Sequence, residues 1–368
     1  MIFNLDEKSI NIFYITCFLL VFFHCSRNNM ELFGNYKSEC DYLPTAVVLA
    51  LKKRKMKKVG DNSWDYYLPC GYTYCEDNVR GFKNEKSGKK IFMIDGCDWI
   101  ASKVTLWQLI KKKFGNEASS IMPETFVLSN IKDMYKFKKF YQLRKSIHSG
   151  SKFIVKNFQQ RQEGLKLLNN IDEINTSIKD GFKLVQDYLE NPYLISKRKV
   201  NLRYYILVIC HQGVINAYVY KDGFVYYTPK FFEKYSMDFH KNITTGYIDR
   251  RVYEENPLTV DEFRKRLGPE KAKKWDNEVI KKLNMVMVAL SEQICSCDKL
   301  SKHVRFQIFG ADLAPDENLE GTLMEINKGP DIGFKDDKDG KVKKEMVDGA
   351  FSIIEGEKDK DHGYSRIF

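Results

Sequence analysis

Asp312, Glu325 and Asn327 are the residues whose types and spacing say most about chemistry. Asp312 lies at the end of one apolar stretch, Val304 to Leu313. Glu325 and Asn327 stand two apart in a second stretch, Thr322 to Asn327, beyond a turn through Pro315-Asp316-Glu317-Asn318. Strand alternation puts Glu325 and Asn327 on one face, and a hairpin brings Asp312 alongside them. Two carboxylates and an amide oxygen among Leu323, Met324 and Ile326 are hard oxygen donors suited to one or two Mg²⁺ ions, with water and phosphate oxygens completing the shell. The alternative is a charged strand edge facing solvent. An acid inside an apolar strand, followed by Asn-Lys-Gly-Pro, favours the site.

Cations and amides upstream match the phosphate side of such a site. Lys156 closes an apolar strand (FIVK) and opens NFQQRQEGL, a polar loop containing Gly164. Gln186 and Tyr188 alternate with Val185, Asp187 and Leu189 on a strand whose polar groups suit an adenine edge, although ordinary packing also explains Tyr188. Lys199, Asn201 and Arg203 alternate on KVNLR, presenting two cations and an amide on one strand face; an exposed sheet edge is the competing explanation. Neither GxGxxG after a strand nor GxxxxGK[ST] occurs, so a nucleotide must be held in another way.

The elements that position these residues follow an α+β or α/β pattern. Strands are expected at Ala46 to Leu51, Ile91 to Ile94, Lys152 to Val155, Leu184 to Leu189, Arg203 to Cys210, Val214 to Tyr220 and Phe224 to Thr228, with Asp222-Gly223 as a hairpin turn between the last two. Helices are expected at Thr105 to Phe114, Asn130 to Leu143, through residues 261–294, and at Lys344 to Ile354.

At 368 residues, 43% hydrophobic and 14% aromatic, the chain can bury a substantial core, which excludes disordered and collagen-like classes. The net charge of +11 points to an acidic partner, and a basic cluster spans Lys52 to Lys58 without any nucleic-acid motif beside it. The 9 cysteines form no CxxC pair and read as reduced thiols in a cytosolic protein; Cys70/Cys75 and Cys295/Cys297 lack the second half of a zinc site. Ile10 to Cys25 is the one membrane candidate. It is shorter than the roughly 20 residues of a comfortable span, and Asp6, Glu7 and Lys8 before it do not make a secretory signal. Inserted, it would leave the following basic residues and the rest of the chain cytosolic; otherwise it is a buried element or an extension before Met30.

LVQDYLENPYLISKRKVNLRYYILV at residues 184–208 resembles a signature of the tubulin–tyrosine ligase family, and GADLAPDENLEGTLMEINKGPD resembles that family's GxDxxxD…LxEINxxP end. Order and spacing agree over roughly residues 90–355. The resemblance implies an ATP-grasp fold with a small N-terminal α/β domain: an apolar leader at 1–35, the N-terminal domain at 36–118, a central ATP-grasp subdomain at 119–196 and a C-terminal one with the Mg²⁺ site at 197–360. It implies ATP-dependent addition of an amino acid (tyrosine, glutamate or glycine) to an acidic protein tail, that of tubulin or of another protein, in the cytoplasm and without nucleic acid. Membrane contact would come only through residues 10–25.

Carried over residue by residue, the resemblance gives Lys103 and Lys156 to phosphates, with the loop Gln159 to Gly164, including Arg161, lying over them. Gln186, Tyr188 and Leu189 would line the adenine pocket. Lys199, Asn201 and Arg203 would orient nucleotide or carboxylates, Thr244 and Thr245 would sit near ribose and phosphates, and Asp312, Glu325 and Asn327 would hold Mg²⁺. Arg203, Lys199 and Glu325 would carry the catalytic roles. The sequence departs from the family at Asn201, where an aspartate is usual, at Asn242 and Thr245, at Tyr226, where many members have arginine, and in a glycine-poor phosphate loop. Tyr226 removes a cation that meets the acidic substrate in relatives, and with Asn201 it motivates the alternative of an inactive ATP-grasp protein that binds acidic tubulin tails.

Overall fold

The computed structural model describes residues 34–157, 164–357 and 361–368. Among these, fourteen strands run in chain order: β1 (Asn35–Lys37), β2 (Lys57–Lys58), β3 (Tyr66–Tyr67), β4 (Lys90–Ile91), β5 (Thr125–Val127), β6 (Phe153–Lys156), β7 (Leu165–Leu168), β8 (Leu184–Asp187), β9 (Leu194–Ile195), β10 (Arg198–His211), β11 (Val214–Tyr227), β12 (Val304–Pro315), β13 (Gly321–Asn327) and β14 (Tyr364–Arg366). Six helices of eight or more residues are labelled α1 (Thr45–Lys53), α2 (Lys103–Phe114), α3 (Ile131–Ile147), α4 (Val260–Leu267), α5 (Pro269–Leu290) and α6 (Asp337–Glu355). The fold class is the mixed α/β one expected.

Ten strands form one sheet in the order β14-β11-β10-β12-β4-β3-β1-β2, with β13 pairing β12 and β9 pairing β10. A separate antiparallel sheet runs β5-β8-β6-β7. The long strands β10, β11 and β12 are buried almost throughout, as their run of β-branched and aromatic residues requires. Helix α5 packs on this sheet through Trp275, Leu283, Val286 and Leu290, and its Trp275 Nε1 donates to the Tyr204 hydroxyl at 2.7 Å. Each such fully buried large side chain contributes about 1.5–3 kcal/mol relative to exposure. The smaller sheet is covered by α3, whose Phe137 packs against Phe126 and Phe153.

Three expectations are corrected. Ala46 to Leu51 is not a strand but lies within α1: Ala46, Val47, Ala50 and Leu51 are buried at helical spacing, a pattern that a six-residue apolar run does not separate from a strand. Asp222-Gly223 is not a hairpin turn. The turn falls at Gln212-Gly213, where both residues take positive φ (51° and 76°) between the paired His211 and Val214. Asp222 and Gly223 lie inside β11, and Gly223 is opposite Tyr204, where a Cβ would overlap the Arg203 carbonyl oxygen. Nor are all thiols reduced. Cys40 bonds to Cys70 and Cys210 to Cys295, with Cα atoms 5.1 and 5.9 Å apart, because folding joins positions 30 and 85 residues distant in sequence.

The basic cluster after α1 is partly committed to packing. Arg54 pairs with Glu355 and Asp348 of α6, both at 2.7 Å, and Lys53 with Asp348 at 2.5 Å. No helix among the described residues is long and apolar enough to cross a membrane, and residues 10–25 lie outside the described residues.

Candidate active site

A cavity of about 410 Å³ is lined by residues from both sheets. Ile154 and Lys156 come from β6, Lys199, Asn201 and Arg203 from β10, Tyr226 from β11, Asp312 from β12, and Glu325 and Asn327 from β13. Lys103 of α2 and the segment through Thr244 and Thr245 complete this end.

The β12–β13 hairpin sets the acidic group. Asp312 is directly opposite Glu325 and Asn327 is opposite Gly310. A register shift after Asp312 leaves Met324 unpaired, so Glu325 still faces Asp312 although Leu313 pairs with Leu323. Asn327 Nδ2 donates to Glu325 Oε1 at 3.3 Å. On the other flank of β12, Arg203 is the register partner of Asp312, donating from Nη2 to Oδ2 at 2.8 Å and from Nε to Oδ1. Burial pushes the Asp312 carboxyl above its ordinary value despite Arg203. Burial opposes ionisation of Glu325 too, but there Lys103, Lys156 and Arg203 outweigh it and hold the carboxyl below its ordinary value; Lys103 Nζ is 3.9 Å from Glu325 Oε2.

Facing these acids are lysines without a carboxylate in ion-pair range among the described residues. Desolvation lowers buried Lys156 to about 8 and buried Lys199 to about 7, the latter helped by Lys152 and Lys156. The Tyr188 ring supports Lys199 and its neighbour Lys152, whose Nζ atoms lie 4.2 and 4.6 Å from its centroid. Asn242 locks the arrangement, its Oδ1 accepting from Lys152 Nζ at 2.7 Å and from the Tyr188 hydroxyl at 2.9 Å. Asn201 lines the cavity with a buried Oδ1 that no group satisfies among the described residues.

The remaining expected residues are placed differently. Gln186 is buried outside the cavity lining, donating from Nε2 to Thr125 Oγ1 at 2.8 Å and leaving Oε1 unpaired. Tyr188 and Leu189 also stay out of the lining. Gly164 immediately precedes β7, its carbonyl accepting from Asn157 N at 2.9 Å. Gln159 and Arg161 lie outside the described residues.

Sequence reasoning missed the far end of the cavity, where Tyr205, Phe224, Tyr253, Arg250, Lys335, Lys343, Asp331 and Asp339 contribute. Lys343 pairs with Asp339 at 3.0 Å, one turn apart on α6, and donates to the Gly333 carbonyl at 2.6 Å. The Asp339–Lys343 spacing was a visible i,i+4 signal. Tyr226 takes its place here with its ring beneath the Arg203 guanidinium, 5.4 Å from Cζ.

A sequence profile described as "Tubulin-tyrosine ligase family" matches residues 82–362. The chain belongs to this family. The matched span contains the whole hairpin, both lysine-bearing strands and the far wall of the cavity. Relatives within and around the family include a probable tubulin polyglutamylase TTLL9 of Rattus norvegicus, 28% identical over 189 residues, which cover 47% of this chain and 39% of the relative. A tubulin monoglutamylase TTLL4 of Mus musculus is 26% identical over 295 residues, or 73% of this chain and 24% of the relative. A probable alpha-tubulin polyglutamylase Ttll1 of Tetrahymena thermophila is 22% identical over 83% of this chain and 87% of its own. The chain thus matches about two fifths of the TTLL9 relative's length.

The donor set fits a nucleotide-bound Mg²⁺ better than a protein-caged metal. Among the described residues no three His, Cys, Asp or Glu side chains converge, so an ion at Asp312 and Glu325 would draw on Asn327 and on phosphate oxygens. The unsatisfied Asn201 Oδ1 calls for a hydrogen-bond donor or a cation, and the lysines opposite, without an ion-paired carboxylate among the described residues, call for an anionic group in the same space.

Proposed function

We propose that this protein is an ATP-dependent ligase that adds glutamate to acidic side chains or tails of tubulin. The observation that carries the proposal is the opposition, across one cavity, of the Asp312–Glu325 pair and the buried, carboxylate-free cations Lys156 and Lys199. Such a site suits a polyphosphate and its counter-ion. Glutamate is favoured over tyrosine and glycine because the relatives are named for glutamylation.

The chemistry is transfer of the γ-phosphoryl group of ATP to an acceptor carboxylate, followed by attack of the incoming amine on the acyl phosphate and loss of phosphate. Mg²⁺ held by Asp312, Glu325 and Asn327 would neutralise phosphate charge during that transfer. The chain's own contribution is positioning and electrostatics. Lys156 and Lys199, desolvated beforehand, meet the phosphates without needing to shed much water. Arg203, whose Nε and Nη2 hold Asp312, orients the acceptor or its acyl phosphate through its remaining Nη1 donors, or with the whole fork once an ion at Asp312 releases it. The aromatic wall of Tyr205, Phe224, Tyr226 and Tyr253 keeps water from the activated carboxyl.

The deciding experiment is a mass-spectrometric screen of tubulin incubated with the protein, ATP, Mg²⁺ and, separately, glutamate, glycine and tyrosine. Glutamate-dependent mass addition supports the reading. Absence of addition with all three amino acids, with tubulin binding retained, replaces it with the inactive tail-binding alternative.

A further inference from the structure

The exposed face of α3 combines apolar and cationic side chains with no visible counterpart. Its inner side is accounted for: Phe137 is buried, and Met134, Phe140 and Tyr141 pack on the smaller sheet. On the outer side Ile131, Tyr135, Leu143 and Ile147 are 87%, 62%, 57% and 69% exposed, at spacings of four or eight residues that carry them progressively across about 160° of the helix's outer side. Lys132, Lys136, Lys138 and Lys139 are exposed among them. Lys139 occupies the gap in the stripe, its Nζ 4.6 Å from the Tyr135 ring centroid, and none of the four lysines pairs with a carboxylate among the described residues. The helix's one acid, Asp133, turns inward to accept from Val127 N at 3.1 Å.

We infer that this face is a docking surface for an acidic, folded protein surface, that of the tubulin acceptor; this identification of the occupant rests on the function proposed above. Four uncompensated cations demand an anionic partner, and four large apolar groups demand one that also buries area. The interleaving selects the class. A helix lying on a membrane separates a continuous apolar side from a basic one, whereas here Lys139 and Lys132 fall between Tyr135 and Leu143 around the helix, and Lys136 between Leu143 and Ile147. A protein surface of mixed acidic and apolar groups matches that alternation.

The geometry gives the surface a role separate from the cavity. Phe153 and Val155 of β6 face the core beneath α3, while Ile154 and Lys156 of the same strand line the cavity. The α3 face is therefore on the opposite side of the smaller sheet from the cavity. An acceptor body docks on α3 while an extended segment reaches round to the site, and the two contacts reinforce each other through effective concentration.

The test compares wild type with two full-length variants, K132E/K136E/K138E/K139E and I131S/L143S/I147S, each checked by circular dichroism. Wild type should co-sediment with microtubules in a salt-sensitive manner. The charge variant should bind about tenfold or more weakly, since each exposed cation contributes only modestly, and the apolar variant should weaken with little change in salt dependence. On a short acidic tail peptide both variants should ligate at the wild-type rate, while KM for polymerised tubulin rises. Unchanged microtubule binding in both folded variants overturns the inference. So does a variant-sensitive interaction found with phosphatidylserine vesicles or single-stranded RNA but not with microtubules. If no protein ligates the peptide, the ligase reading fails, and co-sedimentation still decides the docking surface.

Discussion

Arg203 on β10 and Asp312 on β12 are register partners, and the guanidinium grips both oxygens of the carboxylate. The pair joins two functions in one contact, because Asp312 faces Glu325 as a candidate ion ligand while Arg203 is the cation best placed for a substrate carboxylate. A divalent ion at Asp312 would therefore compete with Arg203 for the same oxygens and would free the guanidinium.

Arg203→Gln should leave a buried carboxylate without its partner and cost about 3–5 kcal/mol of stability. Mg²⁺ or Mn²⁺ should raise the melting temperature of this variant more than that of wild type, because Asp312 becomes wholly available to the ion. Equal shifts in a thermal melt would remove Asp312 from the ion site.

Lys199 gives a pH dependence of definite sign. Its value in the folded protein is lowered by desolvation to about 7, against about 10.4 for a free lysine. Between these values the unfolded chain holds a proton that the folded chain lacks, so stability rises with pH from about 7 upward, and the burial penalty is fully present below it. Lys199→Met should raise the melting temperature most at or below pH 7 and flatten its rise toward pH 9. It should also weaken nucleotide binding about tenfold or more, through loss of a charge-assisted contact. A nucleotide affinity that survives the substitution would exclude Lys199 from the phosphate site.

Glu325→Gln keeps size and backbone pairing but removes the charge held ionised by Lys103, Lys156 and Arg203. Amino-acid incorporation should fall about a hundredfold or more, with an unchanged circular dichroism spectrum. Incorporation at the wild-type rate would refute the assignment of Glu325 to the reaction.

Asn242→Ala should deprive the Lys152 ammonium and the Tyr188 hydroxyl of their shared acceptor. The expected loss is about 1–3 kcal/mol in denaturant unfolding, and Asn242→Asp, which keeps the shared acceptor but loses the Nδ2 donations to the Ser236 and Asp238 carbonyls, should recover only part of that stability while weakening nucleotide binding. Nucleotide affinity unchanged in the aspartate variant would show that Asn242 supports the fold alone.

The hairpin carrying Asp312, Glu325 and Asn327 was legible in the chain because both strands and their turn lie within 24 residues, Val304–Asn327, and alternation along a strand is local. The same holds for the face bearing Lys199, Asn201 and Arg203, and for helices α2, α3 and α6. Local pattern also decided the class of the fold. It did not decide α1, where a short apolar run satisfies two periods, nor the turn after β10, where Gln212-Gly213 prevailed over Asp222-Gly223 because Gly223 was needed for a close backbone approach to Arg203. Only the tertiary structure paired Cys210 with Cys295, placed the Tyr188 ring under two ammonium groups rather than in the cavity lining, and set Arg203 on Asp312 across 109 residues of chain. Residue type and spacing report the chemistry a strand can present, but which group meets which is fixed by strand order and register, and these arise from packing the whole core at once.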